Sequence, residues 1–468
     1  MEWVRLVLAL SLPALLGILL VARHIPATPA RRWLITGYGL FAGLLLWPLL
    51  LRLWAFCGLP TGFWPPAFFG VLLLIILYWW PQAHSPAGGQ DAAIPPPGLP
   101  MTRIVRLLCA LLLALLCLRL LSLTLEVIWR PLFPWDATMH WATKARTWFE
   151  LQAFAPFVSN EEWLRLGGEG VFTDHHADYP LTIPLWQYWL ATALGRWDPS
   201  LINMPWVVCY SSLGMAFYGQ ARASQARHME ASVFTFFLLT LPLLNTHVAL
   251  AGYADLFLAT AYGLSLMALH NGSQGGQAWQ WRLAVFTALG CLLIKNEGFF
   301  WMLTILPGLW VARHHDARSV LLATAGIAAV VPLVLWLFPA DIAVAGHSLN
   351  SLDLGYRPGA LSGILRSLLV LGNWHMALWY LVFLVALMVW KRPGILAAAG
   401  PLVASLCAAG ILFLWLFTVT EYAVGAIRQT AVGRISLHLM PGVVFLLLVM
   451  QTQLRKTEGR TAARESAG

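Results

Sequence analysis

Residues Pro134 to Pro184 read PWDATMHWATKARTWFELQAFAPFVSNEEWLRLGGEGVFTDHHADYPLTIP, and they gather acidic, basic and histidine side chains in a chain that is otherwise nearly all hydrocarbon. Nine of the twenty carboxylates lie between Glu126 and Asp198. Long apolar runs near 104–128 and 200–220 bracket this segment, so it reads as a loop between membrane spans where polar chemistry is confined.

Composition supports that frame. With 59% hydrophobic and 10% charged residues and a mean hydropathy of +0.72, the chain cannot build a water-soluble surface and reads as a multi-span membrane protein. Cys57, Cys109, Cys117, Cys209, Cys291 and Cys407 stand singly in or beside apolar runs and read as packing residues. The net charge of +9 resides in short loops, which is how orientation is encoded, and it argues against nucleic acid as a partner. Residues 3–22 resemble a signal sequence, but Arg23, Arg31 and Arg32 follow as a stop-transfer flank, so the segment is expected to be a retained span.

Apolar runs predict an all-α polytopic protein of about thirteen transmembrane helices. They fall near 3–22, 33–54, 64–80, 104–128, 200–220, 232–250, 253–270, 281–294, 298–312, 319–338, 366–390, 395–418 and 437–452. An outward N-terminus places Arg23/Arg31/Arg32, Arg103/Arg106, Arg222/Arg227, Arg313/Arg318, Lys391/Arg392 and the tail from Arg455 on the inner face, and the acidic loop outside. Leu181 to Gly195 would invert every later loop if it spanned, so it is expected to be a short helix lying in the membrane interface. A Pro/Gly-rich linker at 85–100 divides three leading helices from the rest, and a second outward loop from Pro339 to Ser362 carries Asp341, His347, Asp353, Tyr356 and Arg357.

Asp136, His140 and Lys144 recur every four residues and are expected to share one face of a juxtamembrane helix, with Trp141, Phe149 and the stem of Arg146 in the headgroup layer. Asp136 has two readings: a general base, or an N-cap accepting from the amides of Thr138 or Met139. Asp174, His175 and His176 form a candidate set for a divalent cation, though adjacent side chains of an extended strand diverge. Asp178 is a candidate hydrogen-bonding group for a hydroxylated ligand. Lys295 and Glu297 lie between two spans with little loop to spare, either as a ligand site or as a simple pair. Arg428, Arg434 and His438 precede the last span on the outer face, where cations call for a compensating anion. Asp255 in the turn Gly252-Tyr253-Ala254-Asp255 reads as a helix cap, and Arg119 as the partner of Glu126.

A lipid-linked phosphate would satisfy these features together, with its tail among the spans, its anion at the outer cations and its head near the carboxylates. The acidic first outward loop, the segment DYPLTIPLWQYWLATALG, the turn GYAD, the junction KNEG and the terminal RISLHLMP together resemble bacterial membrane glycosyltransferases of the GT-C superfamily, family 39 in particular. That family includes protein O-mannosyltransferases and aminoarabinose transferases, and the resemblance covers roughly residues 104–450. It implies that Asp136 is the catalytic base and that the substrate is a polyprenyl-phosphate sugar. Relatives often carry Lys-Pro-Pro where this chain has Asp178-Tyr179-Pro180, which shifts the expected phosphate contacts to Lys295 and Arg434.

The domain reading is therefore an N-terminal three-helix addition at 1–100, a GT-C-like transmembrane domain at 101–452 with an outward catalytic loop at 129–199, and an inner tail at 453–468. The expected activity is inverting transfer of a sugar to a lipid, polysaccharide or protein acceptor at the outer face of a bacterial cytoplasmic membrane. Expected substrate contacts are His140, Lys144, Asp178, Tyr179, Lys295, Glu297, Arg428, Arg434 and His438, with a divalent cation as the one candidate cofactor. Two alternatives stand beside it: an O-antigen ligase or polymerase, whose large loop usually comes late, and a lipid-linked sugar transporter or flippase, which needs polar residues deep in mid-span.

Overall fold

An apolar surrounding offers the backbone no hydrogen bonds, so long apolar runs must close their own as helices. The computed structural model describes residues 1–80, 101–314, 353–391 and 398–465, with short pieces between 318 and 348. The leading helices are α1 (Glu2–Ala22), α2 (Arg31–Phe56), α3 (Trp64–Trp79) and α4 (Arg103–Trp129). The polar loop holds a π-helical turn (Ala137–Ala142), α5 (Thr143–Leu151), α6 (Asn160–Arg165) and α7 (Thr182–Leu194). The middle of the chain forms α8 (Met204–Ala223), α9 (His228–Leu239), α10 (Pro242–Ala249), α11 (Asp255–Gly275), α12 (Ala278–Leu292), α13 (Glu297–Leu303) and α14 (Leu306–His314). After these come α15 (Ala360–Leu369), α16 (Ala377–Lys391), α17 (Gly400–Val419), α18 (Ala423–Ile427), α19 (Val432–Leu437) and α20 (Met440–Glu465). Strands among the described residues are limited to a parallel pair, Phe157–Val158 with Phe172–Thr173, and an antiparallel pair, Ala343–Val344 with His347–Ser348.

The all-α class stands. Among the described residues four helices, α1, α2, α4 and α17, are long and apolar enough to cross a membrane, or five if the bent pair α9–α10 is one span. Several segments expected as single spans are broken instead. The run 232–250 bends by 58° between α9 and α10, where Pro242 lacks an amide hydrogen to continue the ladder. The run 298–312 divides into α13 and α14, and 366–390 falls to α15 and α16 with a turn between them. Most of the run 319–338, the linker 85–100 and Asp341 lie outside the described residues.

The leading helices α1 and α2 pack against each other and into the rest of the bundle. A side chain at Gly17 of α1 would place its Cβ 2.0 Å from the Gly39 carbonyl oxygen of α2, so the two backbones touch as only small residues allow. From α2, Tyr38 donates to the Leu264 carbonyl of α11 at 2.8 Å, and Ser212 of α8 donates to Gly37 at 2.8 Å. Helix α7 is corrected as well: all of Thr182–Leu194 is buried, so it is enclosed by protein and does not lie exposed in an interface. Its indoles are spent inside, Trp186 donating to Leu44 and Trp189 to Ala9 at 2.8 and 3.0 Å, because a buried N–H must find an acceptor. Both ends of α7 stay at one end of the bundle, with Thr182 bonded to Leu293 and Arg196 just beyond it bonded to Glu2.

Contacts sort the bundle into two ends. One end joins Asp136, Asp255, Lys295 and Arg434. At the other, Arg455 pairs with Glu230, Lys456 bonds Gln225 and Arg23 bonds the Trp80 carbonyl. Exposed Trp3, Phe56, Trp64, Trp129, Phe133 and Trp135 border the first end, and exposed Tyr78, Trp79 and Trp80 border the second, as aromatic belts do at membrane–water boundaries.

Arg119 does not pair with Glu126, which instead lies 3.8 Å from Arg130. Its Nε donates to Asn245 Oδ1 at 2.6 Å, and the Asn245 amide donates in turn to the carbonyls of Leu239 and Leu241 at 2.7 and 2.8 Å. The bend at Pro242 frees carbonyls, and Asn245 satisfies them while Arg119 holds Asn245 in place. Asn245→Ala takes the acceptor from the Arg119 guanidinium and one of two donors from each carbonyl, since Leu239 keeps the Tyr210 hydroxyl and Leu241 keeps the backbone amide of residue 245; it is expected to cost about 1–3 kcal/mol, seen as a lower unfolding temperature in detergent. An unchanged midpoint would remove Asn245 as the support of the bend.

Candidate functional site

The polar groups assemble into two adjoining networks. The first centres on Asp255, the first residue of α11, which is fully buried at 0% exposure. Its Oδ1 lies 3.3 Å from Lys295 Nζ and 3.0 Å from His438 Nε2, and its Oδ2 lies 3.5 Å from Arg434 Nε. Lys295 also reaches Glu297 Oε1 at 2.9 Å. Arg434 donates through Nη1 to Asp136 Oδ2 at 2.6 Å and lays its guanidinium over the Tyr253 ring, 4.7 Å from the centroid. Trp301 donates its indole N–H to His438 Nδ1 at 3.0 Å. An indole N–H only donates, so Nδ1 carries a lone pair, and His438 is a neutral imidazole donating from Nε2 to Asp255.

Local chain geometry makes this possible. Gly252 has φ +120°, and a Cβ there would stand 2.5 Å from the Ala137 Cβ and 2.6 Å from Leu132 Cδ1. Only glycine lets the turn before α11 lie directly against the turn that follows Asp136. The backbone after Asp136 opens into a π-helical turn, a wider winding that often marks functional positions.

Asp136 is not an N-cap. Its side chain makes no capping bond, because the Thr138 amide is already satisfied by the Pro134 carbonyl at 3.0 Å. Nor does it share a partner with His140 and Lys144 as a four-residue repeat implies, since the π-turn intervenes. His140 and Lys144 build the second network instead, around Asp174. His140 Nδ1 lies 2.8 Å from Asp174 Oδ1, Lys144 pairs with Oδ2, and the Lys144 ammonium also donates to the His176 carbonyl at 2.8 Å. Trp141 is buried rather than lodged in a headgroup layer, stacked on Tyr179 at 4.9 Å, and Tyr179 stacks on His176 at 4.5 Å.

These partners set the protonation of the loop. Burial acts to raise the Asp174 carboxyl, but hydrogen bonds from Lys144 and His140 outweigh it and hold the group below its ordinary range. Burial pulls the His176 imidazole down, and the neighbouring His140 and His175 add to this, so it is neutral near pH 7. Burial also raises the Tyr179 phenol, reinforced by the Glu297 carboxylate, so it stays protonated.

Asp178 is joined to the Lys295–Glu297 junction through the Asn296 side-chain amide. Thus Asp136, Tyr179, Lys295, Glu297, Arg434 and His438 are brought to one place, with His140, Lys144 and Asp178 beside it. Arg428 is exposed and joins neither network. Asp174, His175 and His176 do not converge as metal ligands: Lys144 occupies the place beside Asp174 that a cation would take, and His175 is exposed. Among the described residues no group of three or more His, Cys, Asp or Glu side chains could hold a metal ion.

The compensating anions expected for Lys295 and Arg434 are supplied by the protein itself, as Asp255, Glu297 and Asp136. Asp255, Tyr253, Asn296 and Trp301 are the members that sequence reading did not assign to the site. The signal for Asp255 was present, a carboxylate opening an apolar helix after a glycine turn, but a cap gives the same pattern. Comparison with family models, with characterised proteins and with solved structures gave no match.

Lys144→Ala leaves the Asp174 carboxylate buried without its cation, at an expected cost of about 3–5 kcal/mol. Hydrogen exchange in residues 152–180 should rise, and Lys144→Met with Asp174→Leu should recover part of the protection. The linkage sign follows from the depressed Asp174 pKa: its contribution is present above the ordinary carboxylate range and is lost as pH falls through the lower folded-state value. Unchanged exchange in Lys144→Ala would remove the pair as the anchor of the loop.

Proposed function

We propose that this protein is an inverting glycosyltransferase that moves a sugar from a polyprenyl-phosphate donor to an acceptor at the outer face of a bacterial cytoplasmic membrane. In this reading the bundle is GT-C-like with about thirteen spans, and the end carrying Asp136 faces outward. The observation that carries it is the pairing of a partly exposed carboxylate, Asp136, with Arg434 at an end of the bundle ringed by exposed Trp129, Phe133 and Trp135. A long lipid tail would lie along the apolar helices while its phosphate meets the cations at their ends.

The chemistry is a single displacement. An acceptor hydroxyl attacks the anomeric carbon, its proton passes to the Asp136 carboxylate, and the bond from that carbon to the phosphate oxygen breaks with inversion. The departing phosphate carries the bonding electron pair, and Arg434 with Lys295 stabilises the charge that develops there. Asp255 positions both cations, since its two oxygens face Lys295 and Arg434. Tyr179, His140 and Asp178 are suited to hydroxyls of the sugar or acceptor.

Asp136→Asn keeps size and removes the proton acceptor, so transfer from a polyprenyl-phosphate sugar should fall about 10²-fold or more while the melting temperature holds. Turnover near that of the unaltered enzyme would refute the base. Arg434→Lys should keep part of the activity and Arg434→Ala very little, because a guanidinium grips phosphate through two hydrogen bonds.

Orientation has its own test. A cysteine at exposed Ser159 should react with an impermeant maleimide in intact spheroplasts, above the background of the native cysteines. Labelling only after permeabilisation would reverse the topology and move the site to the inner face.

A further inference from the structure

We infer that Arg434 is a latch on Asp136, released when the phosphate of a lipid-linked donor takes the guanidinium edge that Asp136 now holds. The inference rests on the glycosyltransferase reading and adds an order of events to it.

The charges of the first network do not leave room for a further anion as they stand. Three carboxylates, Asp136, Asp255 and Glu297, face two cations, Lys295 and Arg434, and His438 is neutral because Trp301 donates into its Nδ1. An arriving phosphate therefore meets a surplus of negative charge unless a cation is detached from its carboxylate. Lys295 cannot supply that change: its side chain is 3% exposed and held between Asp255 and Glu297. Arg434 can. Its side chain is 26% exposed and that of Asp136 is 31% exposed, so the bond between them is the one ion pair of this network with both members open to the surface.

The guanidinium is also held so that only one edge needs to be exchanged. Nε stays beside Asp255 and the plane stays on the Tyr253 ring, while Nη1 is committed to Asp136. Turning the Asp136 side chain away frees Nη1 for a phosphate oxygen without moving Arg434. The carboxylate oxygen that Arg434 now holds is then open to an acceptor hydroxyl. In the closed pair Asp136 Oδ2 is taken by Arg434, so donor phosphate frees the base and acceptor activation follows donor binding.

The competition between Asp136 and phosphate for Arg434 has a measurable consequence. Farnesyl phosphate binding to the full-length protein in detergent, measured by calorimetry, should be about tenfold tighter for Asp136→Asn than for the unaltered protein, within the usual range of coupling between sites. Arg434→Ala should lose binding. Glu161→Gln removes an exposed carboxylate of the same loop that belongs to neither network, and should leave affinity unchanged. Farnesol and inorganic phosphate as separate probes tell whether the tail or the anion alone accounts for the effect, and the gain should appear with both phosphates and not with farnesol. Equal or weaker farnesyl phosphate binding by Asp136→Asn overturns the latch and leaves the proposed function standing. An equal gain in Glu161→Gln also overturns it, as a general charge effect. Absence of farnesyl phosphate binding by every protein removes the latch and the polyprenyl-phosphate reading together.

Discussion

A carboxylate that is wholly buried must be compensated on both oxygens, and Asp255 draws its compensation from two distant parts of the chain. Lys295 arrives from the junction between α12 and α13, while Arg434 and His438 arrive from either end of the α19 turn before the last helix. Removing any one of them would leave charge or polarity uncompensated away from water. The position of Arg434, and through it of Asp136, follows from that requirement. This end of the bundle is thus organised from within, by an acid that holds cations in place.

The long loop is pinned by the same principle at a second point. Asp174 is enclosed by Lys144 and His140, and the stack of Trp141, Tyr179 and His176 fills the space toward the first network. Two networks of this kind, joined through Asn296 and Asp178, give a loop of modest regular structure a fixed shape. Such fixing is what the proposed base would need, since a carboxylate that wanders by an ångström loses alignment with its substrate.

Bending and enclosure in the surrounding helices serve that end. The break at Pro242 is sealed by Asn245 and Arg119, and α10 then brings the chain to the turn that places Asp255. The leading helices α1 and α2 wall in α7 and bond its indoles, so the chain entering the site from the loop is held on its inner side. An apolar sequence with few charges can afford these arrangements only where every polar group finds a partner.

Composition and apolar runs determined the helical class, because hydrocarbon-rich segments have no other way to satisfy their backbones. Clustering of carboxylates in one loop marked the region of interest, and Asp136, Lys295 and Arg434 stood out because ionisable groups at the ends of spans are costly. Sequence spacing misjudged what lay between: the interval from Asp136 to Lys144 suggested one helical face, but a π-turn sends Asp136 to one network and His140 with Lys144 to another. Periodicity likewise could not tell an enclosed α7 from one lying on a surface, since both are apolar throughout. Partnership across the fold was decided by tertiary structure alone. Asp136 and Arg434 are separated by 298 positions along the chain, and no local pattern encodes which buried cation will balance which acid.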